Sequence, residues 1–285
     1  MLTAHIRGNN IGISTNVFHN PRNIAELVGI LSINFNAIEI EIENEFRNNY
    51  DNHNYLTKEI AQINYIKDFV NPNLNLTIHA PYIGENTDIA NSTTSIRRAA
   101  VKNLGSAIEF AAQIGVDRVT IHPGYIRSDS EIKDKLNSLK LSLHELNDIA
   151  SEHNVNILLE NTGKNRPAYI ILDNLIHLDL CQAFSQVFLT LDLVHFNSFF
   201  RGSCQHQENL IDMIPYVKNV HFADMVSNEH RHLPLGFGDL DYQSDIIFLI
   251  NHGYKYNFIV EETITDHFSY EYLQQAINFK KSIRE

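Results

Sequence analysis

The chain has 285 residues, of which 44% are hydrophobic. That is enough to bury the core of one large α/β domain, since a single β/α barrel takes about 250 residues. No apolar run reaches the ~20 residues of a membrane-spanning helix, and the polar opening MLTAHIRGNN lacks the apolar core of a secretory signal, so a cytoplasmic protein with no membrane partner is expected. The formal net charge of −12 disfavours the basic face that nucleic acid requires, although bound divalent cations would cancel carboxylates locally.

In chain order, short β-branched runs alternate with amphipathic stretches. A strand at 11–15 precedes a helix at 23–32, and 37–43 precedes 55–70. The series continues with 76–80 and 93–114, 118–123 and 131–152, 156–161 and 168–184. It ends with 187–192 and 207–214, 218–223 and 242–251, 256–262 and 270–281. Ser92 or Thr93 can cap the third helix, and Gly115 and Gly253 stand where the third and seventh should end. Eight β-then-α units in one unbroken series imply a parallel sheet closed into a single (β/α)8 TIM barrel over residues 1–285. The strands read as near-continuous apolar runs, as expected when both faces are buried. An open doubly wound sheet would carry a G-x-G-x-x-G turn after its first strand, and none is present. Gly236 and Gly238 lie in a late loop and are not read as a nucleotide site. Cys181 and Cys204 are the whole cysteine complement and read as free thiols.

Active sites of such barrels form at the C-terminal ends of the strands, and there the sequence collects one kind of chemistry. Strand 3 ends in His79-Ala80-Pro81-Tyr82, strand 4 in His122-Pro123-Gly124 and strand 5 in Glu160-Asn161-Thr162. Strand 6 ends in Asp192 with His195 three residues on. Strand 7 carries His221 and then Asp224, the next loop holds His230-Arg231-His232, and strand 8 ends in Glu261-Glu262. A lone histidine at one strand end is more often a satisfied rim residue than a ligand. Six strands delivering His or carboxylate to one rim point to a metal centre, and these ligand types suit zinc, manganese or iron.

Other residues receive a plainer reading. His5, His19, His53, His144, His153, His177, His206, His252 and His267 fall in loops or helices and are expected to face solvent or hydrogen-bond locally. Glu39, Glu41 and Glu43 alternate with isoleucines and share one face of strand 2. They line the lumen either to bind substrate or a basic partner, or to pair with Arg or Lys from neighbouring strands. Cys204 with Arg201 and His206 does not form a convincing nucleophilic pair, and no G-x-S-x-G is present.

At the rim residues the chain resembles the superfamily that unites xylose-isomerase-type sugar isomerases and epimerases with the endonuclease IV type of apurinic/apyrimidinic endonuclease. The resemblance spans roughly residues 11–283. Glu160, Asp192, His221 and Glu261 match the single-metal quartet common to both branches. HAPY, HPG, LLENT, Asp192-x-x-His195 and HRHLPLGFG are similar to the endonuclease branch. That resemblance implies one ion on His79, His122 and Glu160, a second on Glu160, Asp192, His221 and Glu261, and a third on His195, His230 and His232. The family has Asp where this chain has His230, so the third site would lack a charge or borrow Asp224 or Glu229. The first strand, Gly12-Ile13-Ser14-Thr15, departs from the family's GAHVS-like opening. The family's basic, aromatic DNA-gripping loop is here the acidic stretch Glu41-Ile42-Glu43-Asn44-Glu45-Phe46-Arg47. Only Tyr82 matches a DNA-contacting position.

Three functions follow from the resemblance. The first is metal-dependent hydrolysis of a phosphoester, of an abasic site in DNA or of a small phosphorylated substrate, with one to three zinc ions. The alternative is isomerisation or epimerisation of a sugar or sugar phosphate on one Mn²⁺ or Co²⁺. Glu160 and Glu261 would then act as the acid–base pair, and Arg231 would hold a sugar oxygen or phosphate. The third is a metal-bearing binding protein without turnover.

Overall fold

The computed structural model describes residues 10–17, 23–42, 53–126, 128–163, 174–227, 231–262 and 270–284. Eight parallel strands close into a barrel in strict chain order, β8 pairing back onto β1. The strands are β1 (Asn10–Ser14), β2 (Ala37–Glu41), β3 (Asn75–His79), β4 (Arg118–Ile121), β5 (Asn156–Glu160), β6 (Val187–Asp192), β7 (Val217–Phe222) and β8 (Asn257–Val260). The outer helices are α1 (Ile24–Ser32), α2 (His53–Tyr65), α3 (Thr94–Gln113), α4 (Ile132–His153), α5 (Asn174–Ala183), α6 (Leu193–Phe200), α7 (His206–Met213), α8 (Tyr242–Asn251) and α9 (Tyr270–Arg284).

Local chemistry accounts for several of these boundaries. Asn23 and Asp241 accept backbone N–H groups of the first turns of α1 and α8. Gly115 and Gly253 take positive φ just beyond α3 and α8, as expected of helix-ending glycines. Thr93 stands at the N-cap of α3, but its side chain makes no capping bond. Three strands, β2, β4 and β8, end two residues earlier than the sequence suggests, although the N–H groups of Ile42 and Glu261 still donate to the neighbouring strands. The helical α2 runs on into a π-helical turn, Ile66–Val70. The helix α6 is additional to the expected set. Its start is made by Asp192, whose Oδ1 accepts the His195 N–H at 2.6 Å.

The lumen differs from expectation. The strands are not uniformly apolar: many of the alternating residues that face inward are polar, while Leu158 and Ile259 are apolar. Ile38, Ile40, Leu76, Ile78, Val119, Leu189, Leu191, Val220 and Phe222 are buried in the apolar layer between strands and helices. Their neighbours Glu39, Thr77, Thr120, Thr190, Asn219 and His221 are also buried, and bond across the lumen. Thr120 and Thr190 hydroxyls lie 2.8 Å apart, and Thr77 and Asn219 both donate to Glu39. At the N-terminal mouth Arg118 bridges Asn75 and the Lys218 carbonyl, while Lys218 reaches Asn156. These cross-lumen bonds tie the barrel together beneath its rim, although Asn219 Oδ1 and Asn257 Oδ1 are buried without a hydrogen-bond partner.

Candidate functional site

The end of β3 places His79, the residue after β4 places His122, and the last residue of β5 is Glu160. The Nε2 atoms of both histidines lie 3.2 Å from Oε2 of Glu160. His79 Nδ1 donates to the Ala80 carbonyl at 2.9 Å, which fixes the ring with Nε2 toward Glu160. Burial opposes charge on His79, but the hydrogen bond and charge of Glu160, with Glu39 and Glu261 behind, raise it to about 9. The turn carrying His122 is braced from below. Gly124 has φ +106°, and a Cβ there would meet Oδ1 of Asp88 at 2.6 Å. That oxygen accepts the Tyr125 N–H, and Lys135 pairs with the other. Tyr82 stacks on the His122 ring at 4.7 Å and meets the edge of His79 at 5.1 Å.

Glu160 also belongs to a second cluster with Asp192, His221 and Glu261, all buried, whose ligating atoms lie within 4.8 Å of one another. His221 Nδ1 faces Glu261 Oε2 at 3.1 Å, and its Nε2 faces Glu39 Oε1 at 2.6 Å. Burial would lower His221, but the charges of Glu261 and Glu39 hold it well above the ordinary imidazole value. Glu160 and Glu261 are raised by burial but driven below the carboxylate range by the surrounding histidines, His122 first for Glu160 and His221 first for Glu261. Asp192 goes the other way. Burial, opposed by His232 and reinforced by Glu160 and Glu261, lifts it to about 6.

The third cluster is Asp192, His195 and His232. His195 Nδ1 donates to the Asn161 carbonyl at 2.7 Å, and His232 Nδ1 to the Glu261 carbonyl at 2.9 Å. The remaining nitrogens, both Nε2, face each other at 3.2 Å. Two lone pairs at that distance repel unless a proton or a cation lies between them. Burial and the positive charge of His232 lower His195 to about 3. Burial opposes charge on His232, but Asp192 and Glu261 raise it. Asp192 Oδ2 is buried without a hydrogen-bond partner, 3.4 Å from His232 Nε2. An orphaned carboxylate oxygen beside two converging imidazole lone pairs fits a divalent cation, and the donor set is of the kind that binds zinc or manganese. The buried His, Glu and Asp clusters can therefore bind metal.

The structure thus brings together His79, His122, Glu160, Asp192, His195, His221, His232 and Glu261. His230, Glu229 and Glu43 to Arg47 lie outside the described residues. Asp224 is not available to the third cluster. Its carboxylate accepts N–H groups of Met225, Gly236, Gly238 and Leu240 at 2.9–3.1 Å, which pins the loop after His232. Gly236 and Gly238 therefore bind an internal carboxylate. A Cβ on Gly238 would lie 2.3 Å from the Met225 carbonyl oxygen. Arg231 is exposed beside His232. Among the histidines expected to be peripheral, His144 and His252 are exposed, and His206 bonds Asn197. His177 is fully buried in α5 rather than facing solvent. Both cysteines are free, Cys181 buried and Cys204 exposed.

Two residues gained roles that the sequence did not suggest. Asn161 exchanges both side-chain hydrogen bonds with the backbone of Asp192 and accepts from His195 through its carbonyl, so it fixes the junction of β6 and α6. Among the described residues Glu39 pairs with His221 rather than with Arg or Lys. The neighbour of Glu261, Glu262, is buried with Oε2 unpartnered, and burial, only partly offset by the Leu235 N–H, pushes it up to about 7. Its raised value makes ionisation costly. The stabilisation of the protonated form is complete below pH 4.5 and lost as pH rises through 7. Glu262→Gln is therefore expected to stabilise the metal-free protein at pH 8 by up to about 3 kcal/mol, and far less at pH 4.5, in thermal or urea unfolding. An equal effect at both pH values would contradict the assigned cost.

Comparison with known proteins bears on this rim. The description of the xylose isomerase-like TIM barrel family matches residues 30–283. An uncharacterized protein of Methanocaldococcus jannaschii is 24% identical over 241 residues, which cover 82% of this chain and 85% of the relative. A probable endonuclease 4 of Mycobacterium leprae is 25% identical over 169 residues, covering 58% of this chain and 64% of that protein. Among solved structures, a D-tagatose 3-epimerase-like protein superposes with a TM-score of 0.77 at 21% identity, over 96% of each chain. Among the described residues no helix is long and apolar enough to cross a membrane.

Proposed function

Because the chain belongs to the xylose isomerase-like TIM barrel family, we propose that its rim is a metal-dependent active site that hydrolyses phosphoester bonds on two or three divalent ions, zinc first. The observation that carries this reading is the sharing of carboxylates. Glu160 belongs to both the first and second clusters, and Asp192 to both the second and third. One ion would use Glu160, Asp192, His221 and Glu261 and leave two converging imidazole pairs, His79 with His122 and His195 with His232, without a task. Asp192 supplies the carboxylate of the third cluster within the described residues, so that site does not depend on His230.

Charge points the same way. The clusters contain three carboxylates, Glu160, Asp192 and Glu261. One divalent ion, with His79 still protonated, would leave this centre about neutral and suited to a neutral sugar. Three would make it net positive and suited to a phosphate, even in a chain with net charge −12. Divalent ions at these clusters would supply Lewis acidity, polarising a phosphoester oxygen and acidifying water. The residues of the chain hold and orient. Ala80, Asn161 and Glu261 carbonyls fix three imidazoles through Nδ1, Tyr82 covers the His122 ring, and Arg231, exposed beside His232, would meet an anionic substrate. The relative described as a probable endonuclease 4 makes an abasic-site phosphodiester one substrate to test, beside small phosphorylated compounds.

The second reading is single-ion epimerisation of a ketose. It is favoured by one observation, that the four-residue cluster is complete and buried by itself, with Glu160 and Glu261 as acid and base. One experiment separates the two. Metal content per chain is measured, and the loaded protein is assayed on an abasic-site duplex, a phosphate-ester panel and a ketose panel, with and without chelator. Two or three zinc ions and chelator-sensitive phosphoester cleavage are expected. One exchangeable manganese with ketose turnover alone would overturn the hydrolase reading.

A further inference from the structure

We propose that Glu39 is a positioning residue for the metal centre: from the middle of the lumen it fixes the His221 imidazole so that Nδ1 is its metal-binding atom. The inference rests on the metal-centre reading above and adds to it a residue on β2, a strand that contributes nothing to the three clusters. Glu39 is fully buried. A carboxylate so placed is costly unless donors or a charge compensate it. Among the described residues its ion-pair partner is His221, with Nε2 2.6 Å from Oε1. Its other oxygen accepts Thr77 Oγ1 at 3.0 Å and Asn219 Nδ2 at 2.8 Å.

Asn219 Nδ2 lies 3.0 Å from His221 Nε2 and is able to donate to it. An unprotonated Nε2 would, however, set its lone pair against the Glu39 carboxylate oxygen 2.6 Å away, so the proton of the neutral ring is assigned to Nε2. Nδ1 is left with its lone pair toward Glu261 at 3.1 Å and Glu160 at 3.8 Å. The carboxylate–imidazole–metal relay that results is a general means of setting ligand tautomer and basicity. Here it is delivered from below, along the barrel axis, and held by the threonine and asparagine layer.

Glu39→Gln tests it, with zinc as the probe. The substitution keeps volume but removes the charge and places an N–H donor against Asn219 or His221. Competition with a chromophoric chelator is expected to show one class of zinc site weakened about 10- to 100-fold in the folded variant. Long-range ¹H–¹⁵N spectra of imidazoles in the zinc-loaded natural protein should show His221 bound through Nδ1 and protonated on Nε2. That measurement stands even if the variant does not fold. Unchanged zinc affinity in a folded variant, or His221 bound through Nε2, would overturn the proposal. Turnover is not the readout, so absence of phosphoester cleavage would count against the proposed reaction and leave the Glu39 result standing.

Discussion

Glu160→Gln should reduce chelator-sensitive turnover by roughly a thousandfold or more, equivalent to the several kcal/mol that metal electrostatics supply to a transition state. The size of the expected loss follows from position. Glu160 is the last residue of β5, is 1% exposed, and has one carboxylate oxygen within 3.2 Å of both His79 and His122. It is also a member of the four-residue cluster. Glutamine keeps the shape but has one oxygen and no charge, so it cannot serve two ions. Metal analysis should accordingly fall to the ion held by Asp192, His195 and His232. His122→Ala gives the sharper contrast between mechanisms. It removes a ligand of the first cluster and leaves the four-residue cluster intact, so activity that survived it almost unchanged would exclude the multi-ion mechanism and favour the single-ion one. A folded Glu160→Gln protein with full metal content and turnover within tenfold of the natural protein would remove the basis of both.

Much of this centre was legible because barrels place function at strand ends. HAPY, HPG and LLENT each put a ligand type where an apolar run stops, and the parallel register of β3, β4 and β5 brings those ends to one level. What escaped were relationships over long sequence distance or against local pattern. Glu39 and Asn219 are 180 residues apart, and nothing in either segment announces that they meet across the lumen. The inward polar layer was misread as part of apolar runs because threonine and asparagine are spaced singly between Ile, Leu and Val. The helix α6 was missed because LVHFNSFF lacks a polar face, and because Asp192 was read only as a ligand when it is also the N-cap that starts the helix. His177 is buried although its helix reads as peripheral. Asp224 looked like a spare ligand, since the sequence does not show that the loop of Gly236, Gly238 and Leu240 folds back to use it.

Metal uptake near pH 7 is expected to release about two protons per chain, and zinc affinity to rise as much as a hundredfold per pH unit, because ligands must be deprotonated to bind. In the metal-free protein His79 titrates near 9 and His221 well above the ordinary value, both under the charges of neighbouring carboxylates that outweigh burial. Each carries a proton at pH 7 that zinc must displace. Asp192, lifted to about 6 mainly by burial, adds a further proton only as pH falls through 6. The same groups set the sign for the fold without metal. A histidine raised in the folded state contributes stability that is complete below its unfolded value of 6.5 and disappears as pH rises through about 9. Asp192 contributes its part below 3.8 and loses it as pH rises through 6. The metal-free protein should therefore lose thermal stability between pH 6.5 and 9, while the zinc-loaded protein, whose imidazoles are held neutral by the ions, should hold or gain it. Titration calorimetry in two buffers of different ionisation enthalpy, with thermal unfolding of both forms across that range, gives the two quantities directly. Zinc binding at pH 7 without proton release would mean that His79 and His221 are neutral before metal arrives. The compensation of Glu160, Glu39 and Glu261 by protonated histidines would then be wrong.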